Sequence, residues 1–307
     1  MISAARSMIL SCCCAALLVG CSSSFDLGDG GPTTTEASTS GDAGPSTWGD
    51  LGPIDRRFDS RPSRDKCKRV DLVFAVDDSY SMREEMDAMR GDVFPKLAQA
   101  LRAIGGGLED YRVGVIDACP DPASLHTRGE SGACNFESKQ VWIESSSSAL
   151  ESEFACAGDI WSGDVSCSGN DDDEQPASAA AAALTPPYST GANAGFVRGD
   201  ALLVIVALTD EDERARPAAT PQQLHDRLVT IKGDVRKMVF LGIGGSSYCS
   251  GTYGSAEHAK QLQALTDLFV ADKRGVFWDL CQGRLEDGLT AAMQVIEQAC
   301  DELPTIK

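Results

Sequence analysis

The chain has 307 residues, with 46 Asp and Glu against 27 Lys and Arg, a formal net charge of -19. Nucleic acid and anionic lipid both call for basic surface, so this balance argues against electrostatic binding to either. The length and a hydrophobic share of 42% leave room for one domain with a substantial core.

The first segment reads as a targeting signal. Arg6 precedes a largely apolar run from Met8 to Val19, which is too short to span a bilayer and suits a secretory signal. It ends in Leu18-Val19-Gly20-Cys21. That tetrapeptide resembles a bacterial lipobox, which implies cleavage before Cys21 and a lipid on its thiol; the alternative is an ordinary signal with a chance cysteine. Residues 1–20 are therefore expected to be a lipoprotein signal peptide. Residues 21–64 are rich in Ser, Thr, Gly and Pro, as in Gly30-Gly31-Pro32-Thr33-Thr34-Thr35. Such a segment buries too little surface to offset chain entropy and is expected to be a disordered tether, with an r.m.s. span of roughly 35 Å. The expected location is the cell envelope, with the membrane reached through a lipid anchor only. Ser22 after Cys21 points to the outer membrane under the sorting rule of some Gram-negative bacteria.

Residues 65–307 alternate strand and helix signals. Expected strands are Val70–Val76, Tyr111–Asp117, Gln140–Ile143, Ala201–Leu208, Arg236–Ile243 and Gly275–Asp279. Expected helices are Arg83–Ile104, a short piece around Ala149–Ala155, Glu174–Leu184, Pro221–Lys232, Ala256–Ala271 and Leu285–Leu303. This alternation predicts an α/β fold: a doubly wound, mostly parallel six-stranded sheet with helices on both faces. Gln140–Ile143 follows a long loop and is a candidate edge strand, possible in antiparallel pairing.

Two strand ends carry chemistry. After Val70–Val76 the apolar run stops at Asp77, and oxygens recur at every second position as Asp77-x-Ser79-x-Ser81. In an extended loop alternate side chains point the same way, so the three oxygens converge. Hard divalent cations take ligands of this kind. The same residues also fit a bland reading, because Ser81-Met82-Arg83-Glu84 matches a helix capping box. The second wholly apolar run, Ala201–Leu208, ends in Thr209-Asp210-Glu211-Asp212-Glu213. Packing alone does not explain two buried strands that both end in acid.

Asp77-x-Ser79-x-Ser81 after one strand and Thr209-Asp210 after a later one resemble a von Willebrand factor A domain with a metal-ion-dependent adhesion site. The resemblance covers about Cys67 to Leu303. It implies the strand order 3-2-1-4-5-6, which sets Asp77 and Asp210 side by side at the crevice where the winding reverses. It implies Mg²⁺, with Ca²⁺ or Mn²⁺ as alternatives, on Asp77, Ser79, Ser81 and Asp210. It further implies a partner, a protein or a cell-surface polymer, bound through an acidic group. The family's third loop usually adds a threonine. The corresponding stretch here, Ser168 to Pro176, has none, and Asp173 or Glu174 is the nearest replacement. Either acid could instead decorate a helix N-terminus. An added carboxylate would neutralise the ion from within and weaken its pull on an acidic partner. Asp212 is read as a solvated acid, with a place beside the site or on a neighbouring Ca²⁺ as alternatives.

The cysteines after Cys21 are Cys67, Cys119, Cys134, Cys156, Cys167, Cys249, Cys281 and Cys300. An even set in an exported chain favours disulfides. Cys67–Cys300 would clasp the domain ends, as in some relatives of this fold. Cys249 and Cys281 follow neighbouring strands, and Cys119–Cys134 and Cys156–Cys167 would each staple a loop. No enzyme signature competes. There is no Gly-x-Ser-x-Gly elbow and no His-Glu-x-x-His helix, and His126, His225 and His258 read as surface or loop residues. The expectation is a binding module and not an enzyme. A module whose metal only stabilises the fold is the alternative, and a hydrolase built on Asp77 and Asp210 comes third.

Overall fold

A computed structural model describes residues 69–103, 108, 110–129, 132–160, 174–214, 219–251 and 254–303. The expected signal, tether and lipid-bearing Cys21 lie outside the described residues. The fold is α/β, built on one six-stranded sheet. Its strands are β1 (Arg69–Val76), β2 (Asp110–Asp117), β5 (Ile143–Glu144), β6 (Leu202–Leu208), β7 (Met238–Gly244) and β10 (Gly275–Asp279). Two small hairpins, β3 (Arg128–Gly129) with β4 (Gly132–Ala133) and β8 (Cys249–Gly251) with β9 (Gly254–Ala256), stand apart from it.

The sheet order is β10-β7-β6-β1-β2-β5, the doubly wound order expected. All pairings are parallel except β2 with β5, where Val113 faces Ile143 and Arg112 faces Glu144. The edge strand is thus antiparallel, but it is shifted and only two residues long. β1 and β6 run in register from Val70 with Leu202 to Val76 with Leu208. The ladder continues one step further, because the Asp77 N–H donates to Leu208 O at 2.9 Å and the Thr209 N–H to Ile243 O at 3.1 Å. This extension fixes the backbone of both acid-bearing loops to the rigid sheet.

Alternation along β1 sorts its side chains into two cores. Val70, Leu72, Phe74 and Val76 face one core, with Met82, Met86 and Met89 of the first helical segment, Phe94 of α2 (Phe94–Ala103), Phe154 of α3 (Leu150–Ala157) and Leu285 and Ile296 of α7 (Leu285–Glu302). Val73 and Ala75 face the other, with α4 (Pro176–Ala183), α5 (Pro221–Lys232) and α6 (Lys260–Ala271). Alanines 177 and 179–183 of α4 are all buried. Their small side chains let this helix lie close over β1, β2 and β6. Among the described residues, no helix is long and apolar enough to cross a membrane.

Several element boundaries depart from expectation. The helix expected over Arg83–Ile104 is α1 (Arg83–Ala88), a π-helical turn at Met89–Val93, then α2. The Phe94 N–H donates to Met89 O, five residues back; Pro95, which has no N–H, follows at once. Strand β7 starts at Met238 because Asp234 accepts from the Arg236 N–H and holds Val235–Lys237 as a 3₁₀ turn. The helix expected from Ala256 starts at Lys260, since β9 occupies Gly254–Ala256.

The disulfide Cys249–Cys281 is present as expected. Cys134 pairs with Cys156, which overturns both Cys119–Cys134 and Cys156–Cys167. The physical reason is the chain path: hairpin β3–β4 lies against α3, where a Cβ on Gly129 would meet Cys156 O at 2.8 Å. Cys119 and Cys300 are also disulfide-bonded. Cys67 and Cys167 lie outside the described residues.

Candidate metal centre

Asp77 is wholly buried, and its carboxylate is held from two sides. Oδ1 accepts the Ser79 N–H at 2.8 Å. Oδ2 accepts the Thr209 hydroxyl at 2.7 Å. The Ser79 and Ser81 hydroxyls are 2.9 Å apart, and Ser81 Oγ donates to Asp210 Oδ1 at 3.2 Å. The four residues singled out in sequence therefore form one connected group across the β1 and β6 ends. The capping box is not formed. Ser81 lies inside a 3₁₀ turn, Tyr80–Met82, and α1 begins after Met82 with no side-chain cap. Ser81 is thus free to face Asp210.

The acids after β6 divide their work in a way the sequence did not reveal. Asp210 turns into the crevice. Asp212, partly exposed, accepts the backbone N–H groups of Gln261 and Leu262 and so caps α6. Glu213 is fully buried and accepts from the N–H groups of Ala177 and Ser178 and from the Ser178 hydroxyl. Both helices lack a side-chain cap from their own N-cap residue, and consecutive acids supply it.

Since Glu213 caps α4, Glu174 is not needed for that purpose. Glu174 is buried, and its Oε2 has no hydrogen-bond partner. Burial first, then the charges of Asp77 and Glu211, push its carboxyl up to about 8. Asp77 and Asp210 are raised in the same way, burial being the largest cause for each, and Asp77 adds to the shift of Asp210. Asp78, next to Asp77, is pushed to about 7 by burial and then by Asp117 and Asp77, and its Oδ2 is unpartnered. Glu85 on α1, absent from the expected set, is 0% exposed with both carboxyl oxygens unpartnered. Asp173 lies outside the described residues.

The residues fit a divalent cation. Several carboxyls share a buried crevice, protonation is favoured there for want of a counter-charge, and orphaned oxygens are costly unless something satisfies them. Asp77, Ser79, Ser81 and Asp210 would hold the ion, with Glu174 the nearest further carboxyl, and the ion would supply positive charge and coordination positions. Among the described residues, no group of three or more His, Cys, Asp and Glu side chains is placed to hold a metal on its own. Half of the candidate set is serine.

Glu213 gives a pH dependence distinct from this cluster. Its carboxyl is pushed to about 7, from 4.5, chiefly by burial. A carboxyl with a raised folded pKa leaves the unfolded state holding fewer protons between the two values, so stability falls as pH rises through that window. The shift corresponds to roughly 3 kcal/mol. Glu213→Gln is expected to remove this slope. Relative to wild type, its unfolding free energy in urea should rise between pH 4 and pH 8, and parallel curves would contradict the assignment.

The fold and crevice define a doubly wound α/β domain with an acid-and-hydroxyl cluster at its topological switch point. No protein-family model matches the sequence, and no curated protein matches it. Among solved structures, proximal thread matrix protein 1 from the mussel byssus is similar in two crystal forms, at 15% identity. The TM-scores are 0.42 and 0.43, over 76% and 75% of this chain. This chain spans about half of the mussel protein, 49% and 47% of it. The manganese-loaded TRAP protein of Plasmodium vivax is similar at 12% identity and a TM-score of 0.38, over 76% of this chain and 74% of that one. At these scores the likeness adds nothing to what the sheet order already shows.

Proposed function

We propose that this chain is an extracytoplasmic binding module, not an enzyme, that presents a divalent cation to an acidic group on a protein or a cell-surface polymer. The observation that carries the reading is the hydrogen-bonded group Asp77, Ser79, Ser81 and Asp210, which joins two strand ends at one crevice. Mg²⁺ suits two carboxylates and two hydroxyls, because it keeps several waters and a water can be exchanged for a partner's carboxylate; Ca²⁺ and Mn²⁺ take the same oxygens. The proposed setting is the cell envelope, with Cys21 carrying the lipid that keeps the domain at the outer membrane; the intact mass of the mature chain reads that lipid.

An open coordination position is the property to test. Mn²⁺ bound to the disulfide-intact domain should enhance water-proton relaxation, and a short glutamate-rich peptide should lower that enhancement by displacing water. The buried carboxyl of Glu174 favours one other reading, an ion neutralised and enclosed by the protein. Saturable Mn²⁺ binding with relaxation unchanged by the peptide would replace the adhesive reading with that structural one.

A further inference from the structure

A cavity of about 530 Å³ opens where β1 and β2 begin. The eight residues of β1 separate it from Asp77, roughly 25 Å at the rise of a strand. Its size suits a small molecule, whose sites run from roughly 300 to 1,000 Å³. Arg69, Arg112 and Arg198 line it together with Asp110 and Glu144. Strand register explains the cluster. Arg69 lies opposite Asp110, and Arg112 lies between Asp71 on β1 and Glu144 on β5. Alternation puts these strand residues on the face that carries Val73 and Ala75 further along β1. Arg198 joins them from the segment before β6.

The three arginines are not equivalent. Arg198 is engaged by Asp71, Asp110 and Val70 O. Arg69 donates through Nε to Asp110 at 2.9 Å and through Nη1 to Asp200. Arg112 differs, because among the described residues it donates only to neutral acceptors, the Gly195 and Phe196 carbonyls. The Glu144 carboxylate stays 3.6 Å from its Nε and instead accepts the Trp142 indole N–H at 3.1 Å. The Trp142 ring lies 5.0 Å from the Arg112 Cζ and holds the guanidinium by cation–π contact. Among the described residues, Nη2 of Arg69 and Nη2 of Arg112 take part in no hydrogen bond. Arg112 is thus a positioned, partly buried cation whose charge has no hydrogen-bonded counter-ion.

We propose that this cavity is an oxyanion site for a phosphate group, free or at the end of a small polar ligand, with Arg112 as its main donor and Arg69 beside it. Guanidinium edges match phosphate oxygens in pairs. Ser145 and Ser146 bring hydroxyls to the same wall. The lining carries three cations against two carboxylates, a local positive excess in a chain of net charge -19. That total opposes the approach of any anion, so binding rests on direct hydrogen bonds and not on long-range attraction. The site needs no metal and does not depend on the adhesive reading of the Asp77 crevice.

Titration of the mature disulfide-intact chain with inorganic phosphate and with glycerol 1-phosphate, in metal-free buffer, tests this. The Trp142 indole N–H resonance, beside Arg112, is the reporter. Saturable shifts are expected with a Kd of about 1–10 mM. Binding of both probes assigns the phosphate group of a larger ligand, and binding of inorganic phosphate alone assigns the free ion. Arg112→Gln should weaken binding more than ~10-fold, the loss of a charged hydrogen bond. Arg69→Gln, at a more exposed position, should weaken it less and covers the case of a poorly folding Arg112 variant. Glu144→Gln keeps an acceptor for Trp142 but removes a like charge, so it should tighten binding severalfold, which a purely structural ion-pair network does not predict. No saturable shift with either probe up to ~50 mM would overturn the site. An affinity unchanged by Arg112→Gln, Arg69→Gln and Glu144→Gln would likewise overturn it, by placing the anion elsewhere.

Discussion

Asp77→Ala is expected to abolish saturable Mg²⁺ binding while leaving the domain folded. Asp77 is the anchor of the candidate site, holding the Ser79 N–H on one oxygen and the Thr209 hydroxyl on the other. Its removal takes away a buried carboxylate and also frees the two groups that position it. The two lost hydrogen bonds cost about 1 kcal/mol each. Against this, the variant no longer buries a carboxyl whose ionisation is disfavoured by burial and by Glu211, so the net change in stability is small. The sheet does not rely on this side chain, because the ladder past β1 is made by the Asp77 backbone N–H. Calorimetric titration with Mg²⁺, alongside thermal melts, checks both halves. Undiminished Mg²⁺ binding by the variant would remove Asp77 from the site.

The largest loss of stability is expected at the opposite end of the sheet. Asp71 is 0% exposed within β1, a charge inside a strand that is otherwise apolar past Arg69. Arg198 explains it. Its Nε donates to Asp71 Oδ1 at 2.7 Å and its backbone N–H to Oδ2 at 2.6 Å. The same guanidinium bonds Val70 O at 3.1 Å and pairs with the Asp110 carboxylate. It therefore ties the segment entering β6 to both β1 and β2. Burial raises the Asp71 carboxyl, and Arg198, with Lys232 further off, opposes that shift. Arg198→Ala strands the carboxylate and should cost about 3–5 kcal/mol, the usual penalty for breaking a buried pair. That corresponds to roughly 10 °C in melting temperature for a domain of this size. Adding Asp71→Asn to Arg198→Ala should recover part of the loss in a double-mutant cycle. A loss below about 1 kcal/mol would show that the pair is exposed in solution.

The parts of the fold set by local pattern were legible in the sequence. Strands β1 and β6 are covered on both faces, so each reads as a mainly apolar run, broken past Arg69 in β1 only by Asp71, and acids follow where the runs stop. Asp77 and Asp210 were found for that reason, and Ser79 and Ser81 by their alternation. The strand order came from the family resemblance, and the sheet has it. What was hidden depends on tertiary neighbours. The run Thr209-Asp210-Glu211-Asp212-Glu213 looks uniform, yet Asp212 and Glu213 serve α6 and α4, helices distant in sequence. The disulfide Cys134–Cys156 could not be inferred from spacing, because it reports how a hairpin rests on α3. Glu85 did carry a readable signal. Met82, Glu85, Met86 and Met89 are spaced i, i+3, i+4 and i+7, the pattern of one helix face. That face is buried, and an acid on it is a polar group in need of a partner.

The central claim is that two strand ends hold one divalent ion. Crystals of the disulfide-intact domain soaked in Mn²⁺ test it directly through the metal's anomalous scattering. The account predicts a peak about 2.1 Å from oxygens of Asp77, Ser79, Ser81 and Asp210, a distance taken from small divalent ions on oxygen ligands. A saturated soak with no peak between Asp77 and Asp210, and with Ser81 still donating to Asp210, would contradict it.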